Sequence, residues 1–106
     1  MTALWFAHLE AGDRVSVKPH ASPVFHAIEY LLGHLDREYL TTLRALGGLQ
    51  SYPSRTKDPD RRYIDFSTGS VGLGAAAPLF AAAVTAAGAG PRASSSARSV
   101  AIVAGR

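Results

Sequence analysis

The first regular alternation of apolar and polar residues lies at Arg14–Lys18, where Val15 and Val17 alternate with polar neighbours. A period of two carried by β-branched residues predicts a short β-strand. Pro19 has no backbone N–H and a fixed φ, so we expect the strand to end before it. Near the other end of the chain, Ser99–Ala104 is a second candidate strand.

Apolar residues then recur at helical spacing. Phe25, Ile28 and Leu32 lie three and four residues apart, which predicts one face of a helix. Ser22-Pro23 supplies a capping hydroxyl and a proline suited to the first helical position. Gly33 supplies the stop.

A second helix is expected directly afterwards, with Asp36 as its capping residue. Leu40, Leu43 and Leu46 would form its apolar face, and Gly47-Gly48 would end it. Two short helices joined by a tight turn predict an αα-hairpin.

A polar loop, Leu49–Phe66, follows this pair and contains Pro53 and Pro59. A loop of this length without regular structure is usually functional or disordered. The glycine-punctuated segment Gly69–Gly74 then leads into an alanine-rich helix, expected at Leu73–Ala87.

Composition changes near residue 85. Residues 85–106 contain no acidic and no aromatic residue, which is typical of a flexible tail. We therefore expect a domain at 1–84 and a low-complexity tail at 85–106 with one short strand. The predicted fold class is α/β, with short parallel strands, an αα-hairpin and an alanine-rich helix.

Charge and composition exclude several classes of protein. All eight acids and eight of the eleven Lys and Arg residues precede residue 67, so the net charge of +3 comes from Arg92, Arg98 and Arg106. Three dispersed arginines do not form the clustered basic face of a nucleic-acid-binding protein. No apolar run reaches the roughly 18 residues of a membrane span, and no signal peptide is evident. With no cysteine in the chain, these features favour a cytoplasmic protein.

Two residues are candidates for a ligand site. His20 follows the predicted strand, and ligands of α/β folds bind at the carboxyl ends of strands. Its alternative role is that of a turn histidine bonded to local backbone. Tyr52, beside the stiffening Pro53, either reaches into a pocket or fills a hole beneath the loop. His26 is better explained as a packing residue of the first helix.

The glycine segment is the third candidate. Glycines let a ligand approach the backbone, and the start of a helix attracts anions. The order G-x-x-G-x-G of residues 69–74 is neither the dinucleotide-binding order nor a Walker loop. A nicotinamide-binding fold is therefore not expected.

Four ordered blocks together resemble the thiamine diphosphate-dependent transketolase superfamily, and within it the homodimeric bacterial pyruvate dehydrogenases and their transketolase-like relatives. The blocks are Val17–Pro23, Leu43–Gly48, Leu49–Pro53 and Ser67–Gly74. The resemblance implies a partial thiamine diphosphate-binding domain. It also implies a 2-oxo acid or sugar phosphate substrate and a homodimer in the full enzyme.

The resemblance further implies roles for individual residues. His20 would line the active site near the diphosphate and the substrate, and Tyr52 would face the substrate channel. Gly69, Ser70 and Val71 would contact the aminopyrimidine ring, partly through backbone.

The chain departs from the family at the metal site. The magnesium motif Gly-Asp-Gly is not found, and neither is the catalytic glutamate of a later domain. We therefore expect an internal fragment of such an enzyme, inactive alone and unable to bind thiamine diphosphate and magnesium. The alternatives are a non-catalytic remnant or module for an anionic ligand, and a helical interaction protein.

Overall fold

A computed structural model describes residues 1–69, 72–88 and 100–103. Its helices are α1 (Thr2–Ala7), α2 (Ser22–Leu31) and α3 (Leu73–Gly88), and its strands are β1 (Arg14–Val17) and β2 (Val100–Val103). Short 3₁₀ helices lie at Pro19–Ala21, Arg37–Thr41 and Arg61–Tyr63. Within the described ranges, no helix is long and apolar enough to cross a membrane.

The two strands form a parallel pair in which Arg14 lies opposite Val100 and Val17 opposite Val103. Both predicted strands are thus confirmed. Helix α3 packs against both of them. The other side of β1 carries the hydrophobic core, where Val15 and Val17 pack with Phe25 of α2 and with Ile64.

Helix α2 covers the predicted segment, but its beginning differs from the expectation. Ser22 is not a capping residue: it is the first helical residue, and its hydroxyl donates to the carbonyl of Ser51 at 3.0 Å. Gly33 has φ of 79°, so the predicted stop is confirmed by a left-handed conformation that glycine tolerates. Leu32 is exposed, whereas His26 and Glu29 are buried.

The predicted αα-hairpin is wrong. The second helix is only the 3₁₀ helix Arg37–Thr41, and Asp36 makes no capping hydrogen bond with its side chain. The Thr42 hydroxyl donates to the Tyr39 carbonyl and accepts from the Leu49 N–H, so it closes the chain into turns. Arg44 adopts φ of 68°, which a continuing α-helix does not allow.

The leucines of that predicted helix do not form a buried face. Leu46 is fully exposed and Leu40 is exposed, while Leu35 and Leu49 on either side of the segment are buried. The burial of these two flanking leucines, rather than a periodic face between them, fixes the position of the turns.

Helix α3 begins at Leu73 as predicted and ends at Gly88, one residue after the predicted end, in spite of Pro78. A proline inside a helix cannot donate to the carbonyl four residues earlier, which here belongs to Gly74. That carbonyl instead accepts a hydrogen bond of 2.6 Å from the hydroxyl of Ser16, a buried residue of β1. One side chain therefore satisfies the orphaned carbonyl and ties α3 to β1.

We expect Ser16→Ala to lower the free energy of unfolding by about 2 kcal/mol, because a part-buried carbonyl loses its donor. In a Pro78→Ala background the backbone N–H gained at position 78 can serve the Gly74 carbonyl, so the cost of Ser16→Ala should fall by about 1 kcal/mol. Urea denaturation of the four chains of this double-mutant cycle measures the coupling. An equal cost of Ser16→Ala in both backgrounds would contradict the compensation.

Candidate functional site

Three segments that are distant in sequence meet at the carboxyl end of β1. They are the turn Lys18–Ala21 after the strand, the loop 50–58, and the described residues 67–69 and 72–74 before and at the start of α3. We call this meeting point the strand-end site. Its geometry follows from a few hydrogen bonds between side chains and backbone.

The turn and the loop are joined through His20 and Tyr52. The Tyr52 hydroxyl lies 3.3 Å from His20 Nε2, and the two ring centroids are 5.6 Å apart. The Ser22 hydroxyl bonded to the Ser51 carbonyl supports the same approach from the start of α2. His20 is exposed and Tyr52 is half-buried, so a ligand has access to both rings.

The loop is in turn joined to the residues that precede the glycine segment. The Ser67 hydroxyl accepts the backbone N–H of Arg55 at 2.7 Å. At the far end of the segment, a Cβ placed on Gly74 would lie 3.1 Å from Thr68 Oγ1 and 4.0 Å from Pro19 Cδ. The start of α3 therefore lies directly against the turn that carries His20.

The glycine segment is only partly described. Apart from its neighbours in the chain, no described residue has an atom within 4 Å of where a Cβ of Gly69 would stand, so this backbone borders open space. Gly72 has φ of 93°, a conformation that favours glycine. Ser70 and Val71, the other two residues expected to contact the cofactor, lie outside the described residues.

Asp58 shapes the loop that carries Tyr52. This aspartate has no exposed surface, and its carboxylate accepts the backbone N–H groups of Gln50 at 2.7 Å and Ser54 at 2.6 Å. The loop predicted from its prolines is thus an ordered structure built around one buried carboxylate. Sequence reasoning missed Asp58, because nothing in the charged run around it distinguishes a buried acid from an exposed one.

Two further pairs of polar side chains, each with at least one buried member, support α2. His26 Nδ1 lies 2.7 Å from Asp60 Oδ2, with both residues buried, so the interpretation of His26 as a packing residue is confirmed. His34 Nδ1 lies 2.7 Å from Oε2 of the buried Glu29. Burial raises the pKa of Glu29, although hydrogen bonding to His34 opposes that rise.

The next features to consider are the nearby arginines and the side chains that could bind a metal ion. Arg61 and Arg62 are exposed. Among residues 1–69, 72–88 and 100–103, no group of three or more His, Asp or Glu side chains is placed to hold a metal ion. The site as described offers an imidazole, a phenol and an open stretch of backbone.

The fold and site define an α/β unit with a glycine-lined site at the end of a parallel strand, which is the usual position of ligands in this class. The chain is 40% identical over 73 residues to the pyruvate dehydrogenase E1 component of Mycobacterium tuberculosis. It is 38% identical over 73 residues to the protein of the same name from Mycolicibacterium smegmatis.

Each alignment covers 64% of this chain, which spans only 8% of the length of either relative. No protein-family model matches the chain. No solved structure matches it either.

The loop around Asp58 gives a direct test of the site's scaffold. Asp58→Ala should lower the free energy of unfolding by about 3 kcal/mol, because the part-buried N–H groups of Gln50 and Ser54 lose a charged acceptor. Asp36→Ala is the matched control: Asp36 is exposed and makes no capping bond, so its change should stay within about 0.5 kcal/mol. Urea denaturation measures both, and equal effects would show that Asp58 does not organise the loop.

Proposed function

We propose that the chain carries the cofactor-facing segment of a thiamine diphosphate-dependent 2-oxo acid dehydrogenase of the pyruvate dehydrogenase E1 type. The observation that carries this proposal is the 38–40% identity to two proteins named pyruvate dehydrogenase E1 component. Because the chain spans 8% of their length, we propose a contribution to the cofactor pocket and not the whole reaction. The similarity favours a 2-oxo acid over a ketose as the substrate.

The strand-end site fits one part of such a pocket. The open space beside Gly69 lets a flat ring approach the backbone without meeting a side chain from elsewhere in the described part of the chain. When bound, thiamine diphosphate supplies a nucleophilic carbon and an electron sink for the carbonyl carbon of the substrate. The described residues do not offer a magnesium site, and we assign none of them to a metal.

His20 and Tyr52 supply the polar side of the site. Their contact of 3.3 Å places an imidazole and a phenol where both can reach one small polar ligand. An imidazole in this position can hold or move a proton at Nε2, and the phenol can donate to a carbonyl or carboxylate oxygen. We propose that His20 is the proton carrier and that Tyr52 orients it and the substrate.

A chimera tests this proposal. Residues 14–74 would replace the matching segment of the Mycobacterium tuberculosis pyruvate dehydrogenase E1 component, and pyruvate decarboxylation would be measured. We expect an active chimera in which His20→Asn lowers kcat by about a hundredfold, the scale of a lost acid–base group. Tyr52→Phe should also lower kcat.

Tyr63→Phe is the matched control, because it removes the same hydroxyl from an exposed tyrosine outside the strand-end site. A folded chimera in which His20→Asn has no more effect than this control would contradict the proposed role. A folded chimera that binds the cofactor but has no turnover would favour the alternative, a non-catalytic binding module.

The 106-residue chain should behave differently by itself. In calorimetry with thiamine diphosphate and magnesium, we expect no binding tighter than about 1 mM, since the diphosphate has no metal ligands among the described residues. Saturable micromolar binding would show instead that these residues form a complete cofactor site.

A further inference from the structure

A cleft of about 350 Å³ lies on the core side of β1, away from α3. Its floor includes Val15 and Val17, whereas Ser16 between them bonds Gly74 on the other face of the strand. The cleft is therefore separated by the strand from the start of α3. Its volume lies within the range of sites for small organic ligands.

Aromatic side chains form part of the walls of the cleft. Trp5 of α1 meets Phe25 of α2 edge to face, with ring centroids 5.9 Å apart. Near its rim, the half-exposed Tyr63 stacks on His34 with centroids 3.5 Å apart and planes inclined by 4°. Such walls suit a flat apolar body, and an indole face also attracts cations.

Carboxylates outnumber cations around the cleft. Asp13, Glu29 and Asp65 line it, against the guanidinium of Arg62 and the imidazole of His34. An excess of negative charge in a partly desolvated cleft favours a cationic ligand and disfavours an anionic one.

One carboxylate oxygen of this group has no hydrogen-bond partner among the described residues. Asp65 Oδ2 accepts the Val15 N–H at 2.8 Å, but Asp13 Oδ1 is buried and has no hydrogen-bond partner among the described residues. Glu29 is 2% exposed, and its described hydrogen bond is to His34. Burial raises the pKa of Glu29, His34 and Trp5 oppose that rise, and nearby Asp60 adds to it, so positive charge in the cleft would stabilise the ionised carboxylate.

We propose that this cleft binds a small aromatic ammonium compound, with the ammonium group facing Glu29 and the ring against Trp5 and Phe25. Glu29 provides the charge-assisted hydrogen bond, and Asp13 and Asp65 add to the negative field. The proposal does not depend on thiamine diphosphate chemistry at the strand-end site.

Trp5 is the chain's single tryptophan, so its fluorescence reports on the cleft. The 106-residue chain would be titrated with benzylamine, with the neutral benzyl alcohol and with the anionic benzoate. Free N-acetyltryptophanamide would control for collisional quenching. We expect saturable binding of benzylamine at least about tenfold tighter than that of benzyl alcohol, and no binding of benzoate.

Glu29→Gln should weaken benzylamine binding about tenfold and leave benzyl alcohol unchanged. Glu38→Gln is the matched control, because Glu38 is exposed and outside the cleft, and should leave both unchanged. If circular dichroism shows that Glu29→Gln does not fold, the ratio of the affinities of the unaltered chain for benzylamine and benzyl alcohol still tests the proposal. Equal binding of amine and alcohol, no saturable binding, or equal losses in both variants would overturn the proposal.

Discussion

Pro78 has no N–H to give to the carbonyl of Gly74, and the hydroxyl of Ser16 takes that place at 2.6 Å. The bond fixes the start of α3 against β1, and with it the end of the glycine segment against Pro19. Since β1 makes its core contacts through Val15 and Val17, the same strand joins the core to the strand-end site. Loss of this bond would therefore weaken the packing of the core and the arrangement of the strand-end site.

The loop that carries Tyr52 depends on a different constraint. The Asp58 carboxylate accepts hydrogen bonds from the N–H groups of Gln50 and Ser54, and the Ser67 hydroxyl accepts one from the N–H of Arg55. A buried carboxylate with two such donors is much less costly than an unpaired one, so the loop keeps one shape without regular secondary structure. Order in this loop brings Tyr52 to His20, where the proposed chemistry lies.

Elements set by local patterns were predictable from sequence. The alternation at Arg14–Lys18, the stop at Gly33 and the alanine-rich helix from Leu73 each rest on neighbouring residues. The αα-hairpin failed because the leucines at 40, 43 and 46 have helical spacing, yet tertiary burial of Leu35 and Leu49 decided the path. The nearness of His20 and Tyr52 was suggested by family resemblance. The roles of Ser16 and Asp58, in contrast, arise from contacts between residues that are distant in sequence. For Ser16, the available signal in the sequence was Pro78, the proline four residues after Gly74.

Convergence of three segments at the end of β1 is the claim on which the functional proposal depends. A nuclear Overhauser spectrum of the 106-residue chain tests it most directly. We predict cross-peaks between the ring protons of Tyr52 and His20, and between the Hα protons of Gly74 and the Hβ protons of Ser16. A folded chain with a well-dispersed spectrum and neither set of cross-peaks would contradict the convergence.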